Sequence, residues 1–402
     1  VTVPDRSRFP RLIQRFDPFD PEFEEHFFEV ADELREQCPV AHSAAQGGFW
    51  TFSRFADVLN GFANDDCFTP VPTVTIPANP GAVPLIPLQL EGELHRDFRR
   101  LLDPYFRVAA VAQYEPAIRD ITRDLIDTFI AEGSCEFIAD FARPLPGAVV
   151  FRLFLGLPES GIDEAFHWTM AIMHALGTPQ APLVHERFMS LIERMVERRK
   201  SEPRRDDVVD ALLHGTVAGR PLTKDEIQRA LLQLIAAGLD TTAHALGNML
   251  ATLTDRPELL RRLVDQPQLL PRAIDELLRW EPPAGGLVRT ARHDTVVGGQ
   301  QLRAGDPILL LVAAANRDPA EFDAADTVDF ERDRARNLAF GYGAHYCVGV
   351  HLARLELRVA LEELLARLSD IRIDEARVTY DSGCSRGPTE LHIRFAPGPV
   401  AR

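Results

Sequence analysis

Lysine is nearly missing from this chain of 402 residues, occurring only at Lys200 and Lys224. The positive charge is therefore carried by arginine, a planar and permanently charged fork suited to carboxylates. A formal net charge of -16 argues against a non-specific nucleic-acid binder, which needs clustered cations under a positive surface potential. The five cysteines (Cys38, Cys67, Cys135, Cys347, Cys384) are odd in number and lack zinc or disulfide spacing, which points to a reducing compartment. No run is long and apolar enough to span a bilayer, and the opening VTVPDRSRFPRLIQRF has no basic-then-apolar signal pattern. A cytoplasmic protein with no membrane association is the expectation. There is no internal repeat, and no GxGxxG follows a strand, so no fused flavin or nicotinamide segment is read.

What is present is ordinary globular material, 46% hydrophobic and 26% charged. FEEHFFEVADELREQ has helical period, and GGFWTFSR carries a short strand signal. A proline-rich apolar loop runs from Phe68 to Leu90; irregular loops of this length are usually functional, and its apolar content suits packing over a ligand. From His95 to Asp255 nearly every segment has helical period. The segment starting PLTKDEIQRALLQLIAAGLDTTAHALGN has Thr223 as N-cap and Glu226 three residues on, a capping box, and it stops at Asp255-Arg256-Pro257. Apolar on most sides, it predicts a central rod through the interior. Asp240, His244 and Asn248 argue against a membrane span. After a helix ending near Trp280, residues 287 to 312 alternate as strands, with turns at Gly298-Gly299 and Gly305-Asp306, and VHLARLELRVALEELLARL predicts a final helix.

A lone cysteine is by default a small buried hydrophobe, and four of the five take that reading. Cys347 differs. It sits in FGYGAHYCVG just before a helix start, where unpaired N–H groups and the helix dipole favour a thiolate. Gly341, Gly343 and Gly349 let the chain turn tightly and approach a flat ligand, and Phe340 packs beside the sulfur. A soft sulfur beside such a platform suits a fifth ligand to haem iron.

This loop resembles the cysteine-ligand loop of the cytochrome P450 family, FGxGxHxCxG, and meets all six fixed positions in ten residues. Other stretches match in the family's order, so the likeness covers about residues 90 to 395. The resemblance implies a mainly α fold with small β-sheets, one domain over residues 1–402, and haem b with Cys347 thiolate as axial ligand. In AGLDTT, it implies that Ala237 and Gly238 lie against the haem, with Gly238 loosening the helix, while Asp240 and Thr241 guide protons toward dioxygen. Read from the residues alone, the threonine can instead bond the preceding turn and Asp240 can pair with an arginine. Thr242 supports the helix. Glu276 and Arg279 of ELLR, with Arg332 of VDFERDR, match the family's buried triad, a structural element. His95 and Arg99 of HRDFR, with Arg289 and His345, match its four propionate positions. The chain departs from the family at LEGELH, where Asp-Pro-Pro is common, and at Ala325 and Val328, where proline and phenylalanine are usual.

The resemblance implies a monooxygenase: two electrons, O2 and a hydrophobic organic substrate yield a hydroxylated or dealkylated product and water, the thiolate favouring O–O cleavage. By analogy the pocket is lined by the Phe68–Leu90 loop (Leu85, Ile86), by Gln233, Ala236 and Ala237, by Ala284, Gly285, Gly286 and Leu287, and by Cys384 and Ser385. With no reductase segment in the sequence, a separate ferredoxin served by an NAD(P)H-dependent reductase is implied, with Arg96, Arg100, Arg336, Arg354 and Arg358 as candidates to steer it to a monomer. Peroxide-driven chemistry on the same haem usually dispenses with the acid–alcohol pair, which this chain keeps. A haem sensor needs an output module, and none is read.

Overall fold

A computed structural model describes residues 15–20, 23, 26–78, 83–175, 180–332, 337–375 and 385–398. Cys384, Arg336, most of the opening segment and residues 79–82 of the proline-rich loop lie outside them. Six helices position the site: α1 (Phe55–Ala63), α2 (Gly92–Phe106), α3 (Glu115–Phe129), α4 (Lys224–Asp255), α5 (Leu270–Trp280) and α6 (Val350–Arg367).

The rod is α4, 32 residues and so about 48 Å long at 1.5 Å per residue. Its start is set locally. The Thr223 hydroxyl accepts from the Glu226 N–H at 3.2 Å, and the Glu226 carboxylate accepts from the Thr223 N–H at 2.8 Å. Bonding to Arg220 is the main reason the Glu226 carboxyl is held down at about 2. From Thr242 to Leu250 every residue is buried, the mark of a helix enclosed on all sides. Around it pack α5, α6 and the segment from Ile138 to Phe154, within one large apolar cluster.

A five-stranded sheet flanks this helical body, in the order Val40–Ser43, Phe49–Phe52, Pro307–Leu310, Leu287–Ala291, Phe68–Thr69. Pro307–Leu310 runs parallel to Phe49–Phe52, with Ile308 beside Trp50, and the other pairings are antiparallel. Gly298 and Gly299, at φ 56° and 79°, make the hairpin turn between Thr295–Val297 and Gln300–Leu302.

The stretch from His95 to Asp255, read as helical in nearly every segment, also contains short strands. Ser134–Glu136 is a strand, pairing with His392–Pro397, which in turn pairs with Leu368–Glu375. Its partner lies more than 250 residues away, so no local period announces it. The helical path on either side of Pro144–Ala148 also widens into π turns at Ile138–Ala142 and Val149–Phe154. Among the described residues no helix is long and apolar enough to cross a membrane.

Candidate active site

The cysteine loop closes on itself through backbone bonds. Cys347 N–H donates to the Phe340 carbonyl at 3.0 Å, Tyr346 N–H to Gly343 at 3.1 Å, and Gly341 N–H to Leu338 at 2.9 Å. Gly341 and Gly343, at φ 70° and 75°, occupy the left-handed region that glycine tolerates. Gly343 has a second reason to be glycine: a Cβ there would sit 2.8 Å from the Phe62 carbonyl of α1. Its smallness therefore serves packing of the loop on α1 rather than approach to a ligand. Gly349 caps α6 at φ −82°, and its nearest neighbour is the Cys347 sulfur.

Burial pushes the Cys347 thiol up, and the Gly349 N–H, Arg99 and Arg354 only partly oppose it. Coordination to a metal ion deprotonates a buried thiol of this kind.

Behind the loop lies the triad. Arg279 grips Glu276 with two bonds of 2.8 Å and also donates to the carbonyls of Asn316, Ala325 and Thr327. Arg332 Nε reaches Glu276 at 3.0 Å, and the Asp329 N–H donates to the same carboxylate. Both Glu276 and Arg279 are buried. The coil leading to the cysteine is thus bolted to α5. Three polar residues that the sequence reading did not single out complete the brace. Asn316 accepts from Leu338 N–H at 2.7 Å, Asn337 donates to Asp275, and Asp318 accepts from Phe55 N–H at the start of α1. Asn316 and Asp318 belong to the polar run NRDP that follows the apolar strand Pro307–Leu310 and the helical turn Val312–Ala315, whereas Asn337 lies outside it.

The four predicted propionate residues come together. His95 and His345 lie with ring centroids 4.2 Å apart at a 42° tilt, and Arg99 donates to the Tyr346 carbonyl at 2.6 Å. Burial, then His95, Arg289 and Arg99, pushes the His345 imidazole down to about 3. Arg289 is 4% exposed, donates only to the Val288 carbonyl, and lies over the Phe62 ring at 5.2 Å. Among the described residues it makes no ion pair, and burial lowers it to about 10. A buried guanidinium without a carboxylate, beside two desolvated imidazoles, is a constellation that an anion completes. The residues fit haem: one sulfur for the iron, and a buried Arg289 that makes no ion pair among the described residues beside His95 and His345, while Arg99 is paired with Asp103 at 2.7 Å.

On α4, Gln233, Ala237 and Thr241 recur at i, i+4 and i+8 and stay accessible, while Ile235, Leu239, Asp240 and Thr242 are buried. One face of the rod is therefore uncovered at AGLDTT. The helix runs unbroken through Gly238, so the expected loosening is absent. Its glycine instead accommodates Val150, whose Cγ2 would lie 3.1 Å from an added Cβ. The Thr241 hydroxyl bonds back to the Ala237 carbonyl at 2.7 Å. Asp240 is 7% exposed and, among the described residues, pairs with no arginine; its neighbours are Ser385 Oγ at 3.5 Å and His244 Nδ1 at 3.7 Å.

The predicted pocket residues are dispersed in character. Ala236 and Leu85 are half-buried, whereas Ile86 belongs to the main apolar cluster. Arg229 Nε donates to the Pro84 carbonyl at 2.7 Å, tying the proline-rich loop to α4, and Gln89 braces it internally. An added Cβ on Gly285 would be 3.6 Å from Arg386, and one on Gly286 only 2.7 Å from Leu309. Leu287 starts its strand half-buried, and Ser385 bridges to Ala284.

Comparison with known proteins agrees with this geometry. The Cytochrome P450 family model matches residues 169–371. The mycinamicin IV hydroxylase/epoxidase of Micromonospora griseorubida is 34% identical over 374 residues, 90% of this chain and 94% of the relative. The cyclomarin C epoxidase CymV of Salinispora arenicola is 31% identical, with 90% and 94% covered. A solved cytochrome P450 from Chondromyces apiculatus superposes with a TM-score of 0.87 at 31% identity, over 97% of this chain and all of that one. The chain belongs to the cytochrome P450 family, a monooxygenase of the P450 fold whose cofactor is haem b ligated by a cysteine thiolate.

Proposed function

We propose that Cys347 is the axial ligand, that His95, Arg99, Arg289 and His345 hold the propionates, and that Ala237, Gly238, Phe340, Gly341 and Gly349 border the macrocycle. The observation that carries this reading is the cluster of buried Arg289 and His95 with half-buried His345, none of them in an ion pair among the described residues, beside the loop of the half-buried sulfur. Haem with a thiolate ligand supplies dioxygen activation and transfer of one oxygen atom to an organic C–H or C=C bond. The chain's own work is to fix the sulfur, neutralise the propionates and meter protons. Asp240 and Thr241 do the last from the uncovered face of α4. If their protons are misdirected, dioxygen leaves with two electrons and two protons as hydrogen peroxide.

The substrate in this reading is a hydrophobic organic molecule, hydroxylated or epoxidised, as the names of the relatives acting on mycinamicin IV and cyclomarin C indicate for them. The whole chain, 1–402, acts as one cytoplasmic, monomeric haem domain supplied by a ferredoxin and its NAD(P)H-dependent reductase. A concavity of about 1030 Å³ beside the cysteine loop, with Tyr342, Tyr346, Arg354 and Arg358 in its walls, supports donor docking there. Of the predicted steering arginines, Arg96 pairs with Glu93, Arg100 with Glu93 and Asp97, Arg354 with Asp275, and Arg358 with Glu115. Such pairing leaves less free charge for steering than the bare sequence implies, so reduction should depend only modestly on salt.

Replacing Cys347 by alanine tests the core of this reading. The reduced carbon-monoxide spectrum should lose its thiolate band. A variant that kept it would overturn the ligand assignment.

A further inference from the structure

We propose that His244 is a positioning residue for Asp240, acting through the hydroxyl of Ser385; this rests on the proton-delivery reading of Asp240. His244 lies one turn beyond Asp240 on the same face of α4 and is 1% exposed. Its Nδ1 is 3.0 Å from Ser385 Oγ, which is in turn 3.5 Å from Asp240 Oδ2.

The arrangement is built from two distant parts of the chain. Arg386 N–H donates to the Pro283 carbonyl at 2.7 Å, and Asn248 of α4 donates to the Arg386 carbonyl at 3.1 Å. Gly387 lies so close to the histidine that a Cβ there would be 2.4 Å from His244 Cβ and 2.5 Å from its Cγ. One turn on, a Cβ at Gly247 would be 2.6 Å from Pro388. The segment 385–388 is therefore pressed onto α4, and the imidazole has one place to sit.

A serine hydroxyl has one proton to give. With Asp240 ionised, the favourable arrangement has Ser385 O–H donating to the carboxylate and accepting from His244 Nδ1–H. Were Nδ1 bare, it would compete for the same hydroxyl proton from a shorter distance. The tautomer of His244 thus decides whether Ser385 faces the acid. No arginine or lysine pairs with Asp240 among the described residues, so this contact is its anchor.

The test uses the holoenzyme with its electron donors. His244→Leu keeps bulk and removes the donor; His244→Asn places an amide N–H near the former Nδ1; Ser385→Ala removes the hydroxyl without altering α4. In His244→Leu and Ser385→Ala, peroxide formed per electron pair should rise roughly fivefold, a factor suited to one lost hydrogen bond to a carboxylate. His244→Asn should restore coupling. In the diamagnetic ferrous carbon-monoxide form, 15N resonances of His244 should show the proton on Nδ1. Wild-type coupling in both His244→Leu and Ser385→Ala, or a proton on Nε2 alone, overturns the proposal. Asp240→Asn separates the two layers: if it uncouples while those variants do not, only the role of His244 falls; if it too stays coupled, the reading of Asp240 falls and takes this proposal with it.

Discussion

The two sides of the site are built to different standards of rigidity. Behind the cysteine loop, Arg279 alone makes five hydrogen bonds, to a buried carboxylate and three coil carbonyls. On the α4 side, Asp240 makes among the described residues one side-chain bond, of 3.5 Å to a hydroxyl, with His244 Nδ1 at 3.7 Å. The difference follows from the tasks. A ligand sulfur must be held at one distance from its metal, so surplus bonds on one arginine are useful there. A group that takes up and releases protons must change partners, so a short, fully satisfied ion pair would immobilise it.

The largest effect should come from cutting the rigid side at its centre. Arg279→Ala leaves Glu276 buried with only Arg332 and the Asp329 N–H, and leaves the Asn316 and Ala325 carbonyls without their donor. A loss of about 3–5 kcal/mol is the usual cost of breaking such a pair, read by urea unfolding, with haem released in the same transition. If this variant unfolds like the wild type, the contrast between the sides is not energetic.

A second experiment sharpens the comparison by using a carboxylate on the same side that lacks a partner. Glu356 of α6 is 2% exposed, its Oε2 has no partner among the described residues, and burial pushes its carboxyl up to about 8. A raised acid binds more protons folded than unfolded between the two values, so its contribution to stability falls as pH rises from the unfolded range near 4.5 through about 8. Glu356→Gln should therefore lose less stability than the wild type between about pH 6 and pH 8 in urea melts. Equal slopes for the two proteins would contradict this.

The smallest effect should be far from both sides. Thr223→Ala removes the cap of α4 and should cost about 1 kcal/mol without changing the carbon-monoxide spectrum. A spectral change would mean that the rod transmits its end to the site. Glu226, depressed to about 2 mainly by Arg220, adds stability that is fully present above its ordinary carboxyl value near 4.5 and is lost as pH falls from there through about 2.

Much of this was legible in the sequence because the signals are short. The capping box spans Thr223 to Glu226, the rod's apolar pattern spans a few dozen residues, and the cysteine loop has Gly341 and Gly343 where φ is positive. The triad and the four propionate positions were legible through family resemblance, and the structure brings their members together. The strand at Ser134–Glu136 and the braces at Asn316 and Asp318 were not legible, since each is satisfied by a partner far along the chain. His244 was visible only as an argument against a membrane span, because its meaning depends on a serine 141 residues away.

Sequence alone determined where helices begin, which loop carries the sulfur, and which side chains have the chemistry to hold a charged macrocycle. Those properties rest on hydrogen bonds and torsions within a few residues. Tertiary structure decided which arginine stays without an acid, which glycine is small for packing rather than for a ligand, and what Asp240 touches. Such choices arise when distant segments compete for the same buried space, and only the packed chain resolves that competition.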